Sequence, residues 1–266
     1  MCLIVIANRC HPDYPLILAA NRDEFYERPT HPMSRWPDAP DVIAGRDERG
    51  GGTWLGMTIS GRLAAVTNYR DARRHLPDAR SRGELVKHFL TGADDPVDYL
   101  EATRQNQDAY NGFNLIAGTI DRLYCLSNRG GSVQRLPAGI VGLSNHLIDT
   151  PWPKVVTVKA AARRLIESGQ IHRTDRWLEC LSDTARPPDK DLPDTGVGPA
   201  IERMLSPVFI RTDGYGTRSS ALITVHVSGR VRFVEKTHAV GGTPEGMAAQ
   251  TWQIPQRAAD QPAKTR

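Results

Sequence analysis

MCLIVIANRCHPDYPLILAANRDEF, residues 1–25, holds the pattern from which the rest of the chain is read. Leu3 to Asn8 is a short apolar run rich in β-branched residues, and Leu16 to Ala20 is a second. Between them His11-Pro12-Asp13-Tyr14-Pro15 supplies turn chemistry, so the two runs form an opening hairpin. In a hairpin the end of the second strand returns beside the start of the first. That geometry brings Asn21-Arg22-Asp23-Glu24 back toward position 2.

Outward from this hairpin, residues 27–40 hold four prolines and no periodicity, and are expected to form an irregular loop. Trp54 to Ile59 and Arg62 to Thr67 flank Ser60-Gly61, a tight-hairpin signal. Ser81 and Glu84 have the spacing of a capping box at the start of a helix running to Leu90. A second helix is expected from Pro96, after the cap Asp95, to about Gln105. A strand meander follows through Phe113–Thr119, Arg122–Ser127, Val133–Leu136 and Ile140–Ser144, then a long helix from Lys154 to Glu167. Residues 170–207 are helical in part, broken by prolines, and Ser219–His226 and Val231–Thr237 form a last strand pair. Strands, then helices, then strands predict an α+β fold with segregated layers. The expected organisation is a single domain over residues 1–252 with a polar, disordered tail at 253–266.

Several function classes are disfavoured by composition. The 266 residues are 39% hydrophobic and 24% charged with mean hydropathy -0.43, which fits a soluble globular chain. No apolar run approaches the ~20 residues of a membrane helix, and Leu3 to Ala7 is too short for a signal peptide. The expected location is the cytoplasm, without stable membrane insertion. A formal net charge of +4 comes from scattered arginines, so the Arg70–His75 cluster reads as solvated surface and a nucleic-acid partner is not expected. Four cysteines with no Cys-x-x-Cys pair, and histidines without metal-site spacing, imply no metal or other cofactor.

Cys2 carries a chemical consequence. Removal of Met1 by methionine aminopeptidase, which tolerates a small second residue, would leave a thiol and a free α-amine on one residue. Their ordinary pKa values, about 8.5 and about 7.7–8.0, let the amine act as general base for its own thiol. The competing reading is a small buried cysteine at a strand edge. Asp23 could accept from the ammonium, and Arg22 could favour the thiolate.

The chain resembles the NRDE family, named after this tetrapeptide, which includes transport and Golgi organisation protein 2-like proteins. The resemblance rests on ordered motifs: Gly45-Arg46-Asp47, Gly52-Thr53-Trp54-Leu55-Gly56, Thr67-Asn68-Tyr69-Arg70, Leu143-Ser144-Asn145, Thr150-Pro151-Trp152-Pro153-Lys154 and Tyr215-Gly216-Thr217-Arg218-Ser219-Ser220. It implies the N-terminal-nucleophile hydrolase superfamily and a four-layer αββα sandwich, two antiparallel sheets between helical layers. By similarity to choloylglycine hydrolases and penicillin V acylases it further implies a catalytic set of Cys2, Arg22, Asp23, Asn68, Asn145 and Arg218, with the two asparagines as oxyanion donors. Arg22 fits this pattern less well, because the relatives separate their arginine and aspartate and here they are adjacent. The implied activity is hydrolysis of a non-peptide C–N or related acyl bond in a small molecule. The alternative is a binding or trafficking protein that uses the same pocket for a lipid or haem. Asn68 and Asn145 could instead cap turns, and Arg218 could form a surface salt bridge.

Overall fold

A computed structural model describes residues 3–255. The strands in chain order are β1 (Leu3–Asn8), β2 (Leu16–Phe25), β3 (Thr30–Trp36), β4 (Ala39–Asp47), β5 (Leu55–Thr58), β6 (Arg62–Asn68), β7 (Phe113–Thr119), β8 (Arg122–Ser127), β9 (Gln134–Arg135), β10 (Gly139–Leu143), β11 (Tyr215–Val225), β12 (Arg230–His238) and β13 (Pro244–Gln253). The helices are α1 (Gly83–Thr91), α2 (Pro96–Gln105), α3 (Pro153–Glu167), α4 (Thr174–Cys180) and α5 (Pro199–Leu205). One antiparallel sheet has the order β10-β1-β2-β11-β12-β13, and the other runs β3 through β9 as a meander.

Strand parity builds the layers. Even positions of β1 and β2, among them Ile4, Ile6, Leu16 and Leu18, face the second sheet and meet Met57, Leu63 and Ile116 there. Odd positions, Leu3, Val5, Ile17 and Ala19, face outward against Val155, Val158 and Ala162 of α3. Every residue of β1 is buried because both of its faces are covered. On the far side Ala64, Val66 and Leu115 pack against Leu85, Val86 and Phe89 of α1. The result is the expected α+β, four-layer αββα sandwich.

Three local expectations are corrected. Ile140–Ser144 does not continue the meander, because β10 crosses to the other sheet and pairs with β1. Residues 27–40 are not an irregular loop, since β3 and the start of β4 lie there. β3 is an edge strand bonded only to β4, which is where a proline lacking an N–H is tolerated. The pairing skips between His31 and Ser34, around Pro32. Freed from the ladder, Met33 N donates to the buried Glu235 Oε1 at 2.7 Å. Nor does Ser81 form a capping box: α1 begins at Gly83 after Arg82, with no side-chain cap. The Glu84 carboxylate is instead held by Tyr110 Oη at 2.5 Å and Arg80 Nε at 2.6 Å. Asp95 does cap α2, accepting from Val97 N at 2.9 Å. At the chain end Gln253 closes β13, a polar edge strand, and residues 256–266 of the expected tail lie outside the described residues.

A buried polar chain fastens the sheet to the segments above it. Asn21 Nδ2 donates to the carbonyls of Leu181 and Val208, both at 2.8 Å, and Ser220 Oγ donates to Asn21 Oδ1 at 2.7 Å. The serine hydrogen is thereby used, so His238 Nε2, 3.1 Å away, must donate to Ser220 Oγ. Its Nδ1 is buried without a partner among the described residues, so a second proton would find no acceptor. Burial, reinforced by the nearby charges of Lys236 and Arg211, lowers the imidazole from 6.5 to about 4. The unfolded chain takes up this proton near 6.5 and the folded chain resists it. Stability is therefore complete above pH 6.5 and lost as pH falls toward 4, by about 3 kcal/mol at most. Urea midpoints between pH 7 and 5 should fall more steeply in the wild type than in His238→Gln, whose amide can still donate to Ser220. Identical slopes would remove His238 as the source.

Candidate active site

The end of β2 lies where β1 begins, with Leu3 paired to Asn21. Parity divides the next residues. Asp23 follows Asn21 toward the helical layer and is 3% exposed. Thr217 Oγ1 donates to Asp23 Oδ1 at 2.6 Å, while the same Oγ1 accepts from Ile210 N at 3.0 Å. Arg22 turns the other way, toward the second sheet. It is 4% exposed, with its guanidinium carbon 4.2 Å from the centroid of the Trp54 ring. Burial lowers its pKa, against the attraction of Glu24 and Asp47, and its NH1 has no hydrogen-bond partner among the described residues.

β6 and β10 end side by side and bring two of the predicted residues into contact. Asn145 Nδ2 donates to the backbone oxygen of Asn68 at 3.0 Å. Below them Thr67 Oγ1 donates to Ser144 O at 2.9 Å, and Asn114 Nδ2 donates to Thr67 Oγ1 at 3.0 Å. The strand ends are thus tied together by side chains as well as by packing.

These residues open onto a two-lobed cleft. One lobe, about 530 Å³, includes Asn145, Tyr69, Val197, Leu205, Ile210 and Tyr215. The other, about 570 Å³, is polar and includes Arg22, Glu24, Arg28, Asp47, Arg49 and Arg80. Asn68, His75 and Arg82 line both. In the polar lobe Arg28 grips Asp47 with two hydrogen bonds, at 3.0 and 2.7 Å. Arg28 is the strongest of the influences that lower the Asp47 carboxyl, opposing the effect of its burial.

Of the six predicted residues, Arg22, Asn68 and Asn145 line this cleft. Asp23 sits one residue from it on the opposite face of β2. Arg218 lines neither lobe. It sits where the β2–β11 register slips, and its NH1 donates to the carbonyls of Phe25, Tyr26 and Arg28 at 3.0, 2.9 and 3.1 Å. There it holds the chain leaving β2. Cys2 lies outside the described residues.

Arg70 does not belong to the solvated surface expected for the Arg70–His75 cluster. Its side chain is 12% exposed and pairs with the buried Glu202 at 2.7 Å, whereas Arg73 and Arg74 are exposed. The signal available was its place in Thr67-Asn68-Tyr69-Arg70; nothing in the sequence marks Glu202 as its partner. His146, beside Asn145, has Nδ1 2.9 Å from Thr150 Oγ1 and a pKa lowered by burial. No group of three or more candidate metal ligands occurs among the described residues, and no helix among them is long and apolar enough to cross a membrane.

The family model described as Transport and Golgi organisation 2 matches residues 1–239. The chain is 40% identical over 240 residues to the human Transport and Golgi organization protein 2 homolog, covering 84% of this chain and 87% of that one. The mouse homolog is 38% identical over 240 residues with the same coverage. Among solved structures, the Caenorhabditis elegans N-acylethanolamine-hydrolyzing acid amidase ortholog superposes with a TM-score of 0.48 at 13% identity, over 84% of this chain and 92% of the other.

Proposed function

The chain belongs to the Transport and Golgi organisation 2 family, and on that footing we propose that it is a cytoplasmic N-terminal-cysteine hydrolase of amidase or acylase type, cleaving a non-peptide C–N or related acyl bond in a small molecule. The supporting observation is the pairing of Leu3, covalently next to Cys2, with Asn21, beside a cleft lined by Arg22, Asn68 and Asn145.

Once Met1 is removed, the α-amine takes the thiol proton and Sγ attacks the acyl carbon. As the S–C bond forms, the carbonyl electrons move onto oxygen, where amide N–H groups of Asn68 and Asn145 receive the charge. The C–N bond then breaks, and the ammonium returns its proton to the leaving amine. Water hydrolyses the thioester with the amine again as base. Asp23 orients the ammonium from the strand beside it. The polar lobe takes one side of the ligand, and the lobe with Val197, Leu205 and Ile210 takes an apolar acyl group.

The remaining cysteines set a background against which Cys2 can be tested. Cys125 is buried and its thiol is pushed up to about 12; partial desolvation also raises the half-buried Cys180 and, although its side chain is exposed, Cys10. At neutral pH these three are held toward the unreactive thiol form. Intact mass should show loss of Met1, and iodoacetamide should label Cys2 first, by at least about tenfold over the others. Retained Met1 as the only species, or equal labelling of all four cysteines, would remove the mechanism and favour a ligand-binding protein.

A further inference from the structure

Asn145 does not orient its own amide. Its Oδ1 accepts from Arg70 NH2 at 3.0 Å, and its backbone oxygen accepts from Arg70 N at 2.7 Å. A guanidinium can only donate, so it selects the oxygen end of an amide whose two ends are nearly the same size. The nitrogen end is thereby turned away. One of its hydrogens goes to Asn68 O at 3.0 Å, and the other is left for the cleft that Asn145 lines.

Arg70 is itself fixed from three sides. Its NH1 donates to Glu202 Oε2 at 2.7 Å, and its guanidinium carbon lies 5.1 Å from the Trp152 ring centroid. Glu202, 3% exposed, is held in turn by Thr195 N at 2.9 Å and Thr195 Oγ1 at 2.5 Å, both on Oε1. The helix that carries Glu202 is pinned at its other end, where Lys154 Nζ donates to Leu205 O at 2.8 Å. The chain of contacts therefore runs from the segment 194–205 through Glu202 and Arg70 to the amide of Asn145.

We propose that Arg70 and Glu202 are positioning residues whose role is to hold the Asn145 amide with its N–H toward the reacting carbonyl. The inference rests on the proposed role of Asn145 as an oxyanion donor. Without Arg70 the amide is free to flip, and a flipped amide presents its oxygen to the developing negative charge. Without Glu202 the guanidinium is free to leave Asn145 for solvent. The expected penalty is that of losing the donor itself, about 10²–10³ in rate.

The test separates positioning from folding by using two reagents on the same thiol. p-Nitrophenyl butyrate acylates Cys2: the S–C bond forms, p-nitrophenolate leaves, the thiol proton passes to the α-amine, and an oxyanion develops on the way. Iodoacetamide alkylates Cys2 by displacing iodide, with no oxyanion. Single variants leave a buried charge unpaired, so the main variant is Arg70→Met/Glu202→Gln, which removes both charges and leaves no side-chain donor at position 70 for Asn145 Oδ1. It should slow the nitrophenolate burst by about 10²-fold, matching Asn145→Ala, and adding Asn145→Ala should slow it less than about twofold further. The alkylation rate should stay within about twofold of wild type, and Arg70→Lys, which can still meet both acceptors, should recover part of the burst rate. A burst retained in the double variant overturns the positioning role while the nucleophile reading stands. A parallel fall in both rates assigns the network to folding alone and also overturns it. No Cys2-dependent burst in the wild type ends the hydrolase reading, and the positioning role with it.

Discussion

Cys2→Ala is expected to abolish turnover while leaving ligand affinity within a few-fold of wild type. In the proposed mechanism the thiol forms the covalent bond, and among the described residues no other cysteine lines either lobe: Cys10, Cys125 and Cys180 lie away from both. Asn145→Ala should lower kcat by about 10²–10³ with a much smaller change in KM, because in the proposed mechanism its amide acts on charge present only in the transition state. Asp23→Asn should also reduce kcat, since Thr217 Oγ1 already donates to one oxygen and an amide cannot replace the carboxylate's charge opposite an ammonium. A screen over N-acyl amino acids, acyl amides and β-lactams, run beside lipid and haem binding, would supply the substrate. Full activity in Cys2→Ala ends the mechanism. A ligand that binds tightly with no turnover in any form of the protein would establish the binding role instead.

Trp54→Ala should destabilise the fold by about 3–5 kcal/mol, the usual range for removing a buried tryptophan. Trp54 is 6% exposed and belongs to the core between the sheets. It packs so closely on β4 that a Cβ at Gly45 would collide with its Cη2. The ring is also the surface on which Arg22 rests at 4.2 Å. Its loss removes a desolvated cation–π contact of about 2 kcal/mol and frees a buried guanidinium. Trp54→Phe keeps a ring face and should recover part of the stability. Guanidinium chloride midpoints measure both variants; a loss below about 1 kcal/mol in Trp54→Ala would mean that the site collapses around the smaller residue.

Local pattern carried the opening hairpin, the second hairpin at Gly61 and the helices α2 and α3. Each announces itself through an apolar run, a glycine turn or a proline after an N-cap. The edges of the sheets were harder to read. β3 contains Pro32 and polar residues because an edge strand needs only one row of partners, and β13 is exposed along most of its length, so neither shows a buried alternation. At the site, Asn68 and Asn145 were legible from their places at strand ends within family motifs. Arg70 and Glu202 were not recognised as a pair, because they lie 132 residues apart and only the folded chain brings them together. Arg22 lines the cleft as the hairpin register implies, but its contact with Trp54 was not readable, because it depends on how two sheets stack.

The hydrogen bond between Thr217 and Asp23 joins residues 194 positions apart. Translation at ~5–20 residues per second separates their synthesis by about 10–40 s. β2 is made almost first, yet its neighbour β11 is among the last strands to leave the ribosome. For that interval β2 can pair with β1 on one side only, and its other edge, from Leu16 to Phe25, presents unpaired backbone groups, the kind of edge that templates association. Truncation anywhere before residue 217 yields a product that keeps this sticky edge.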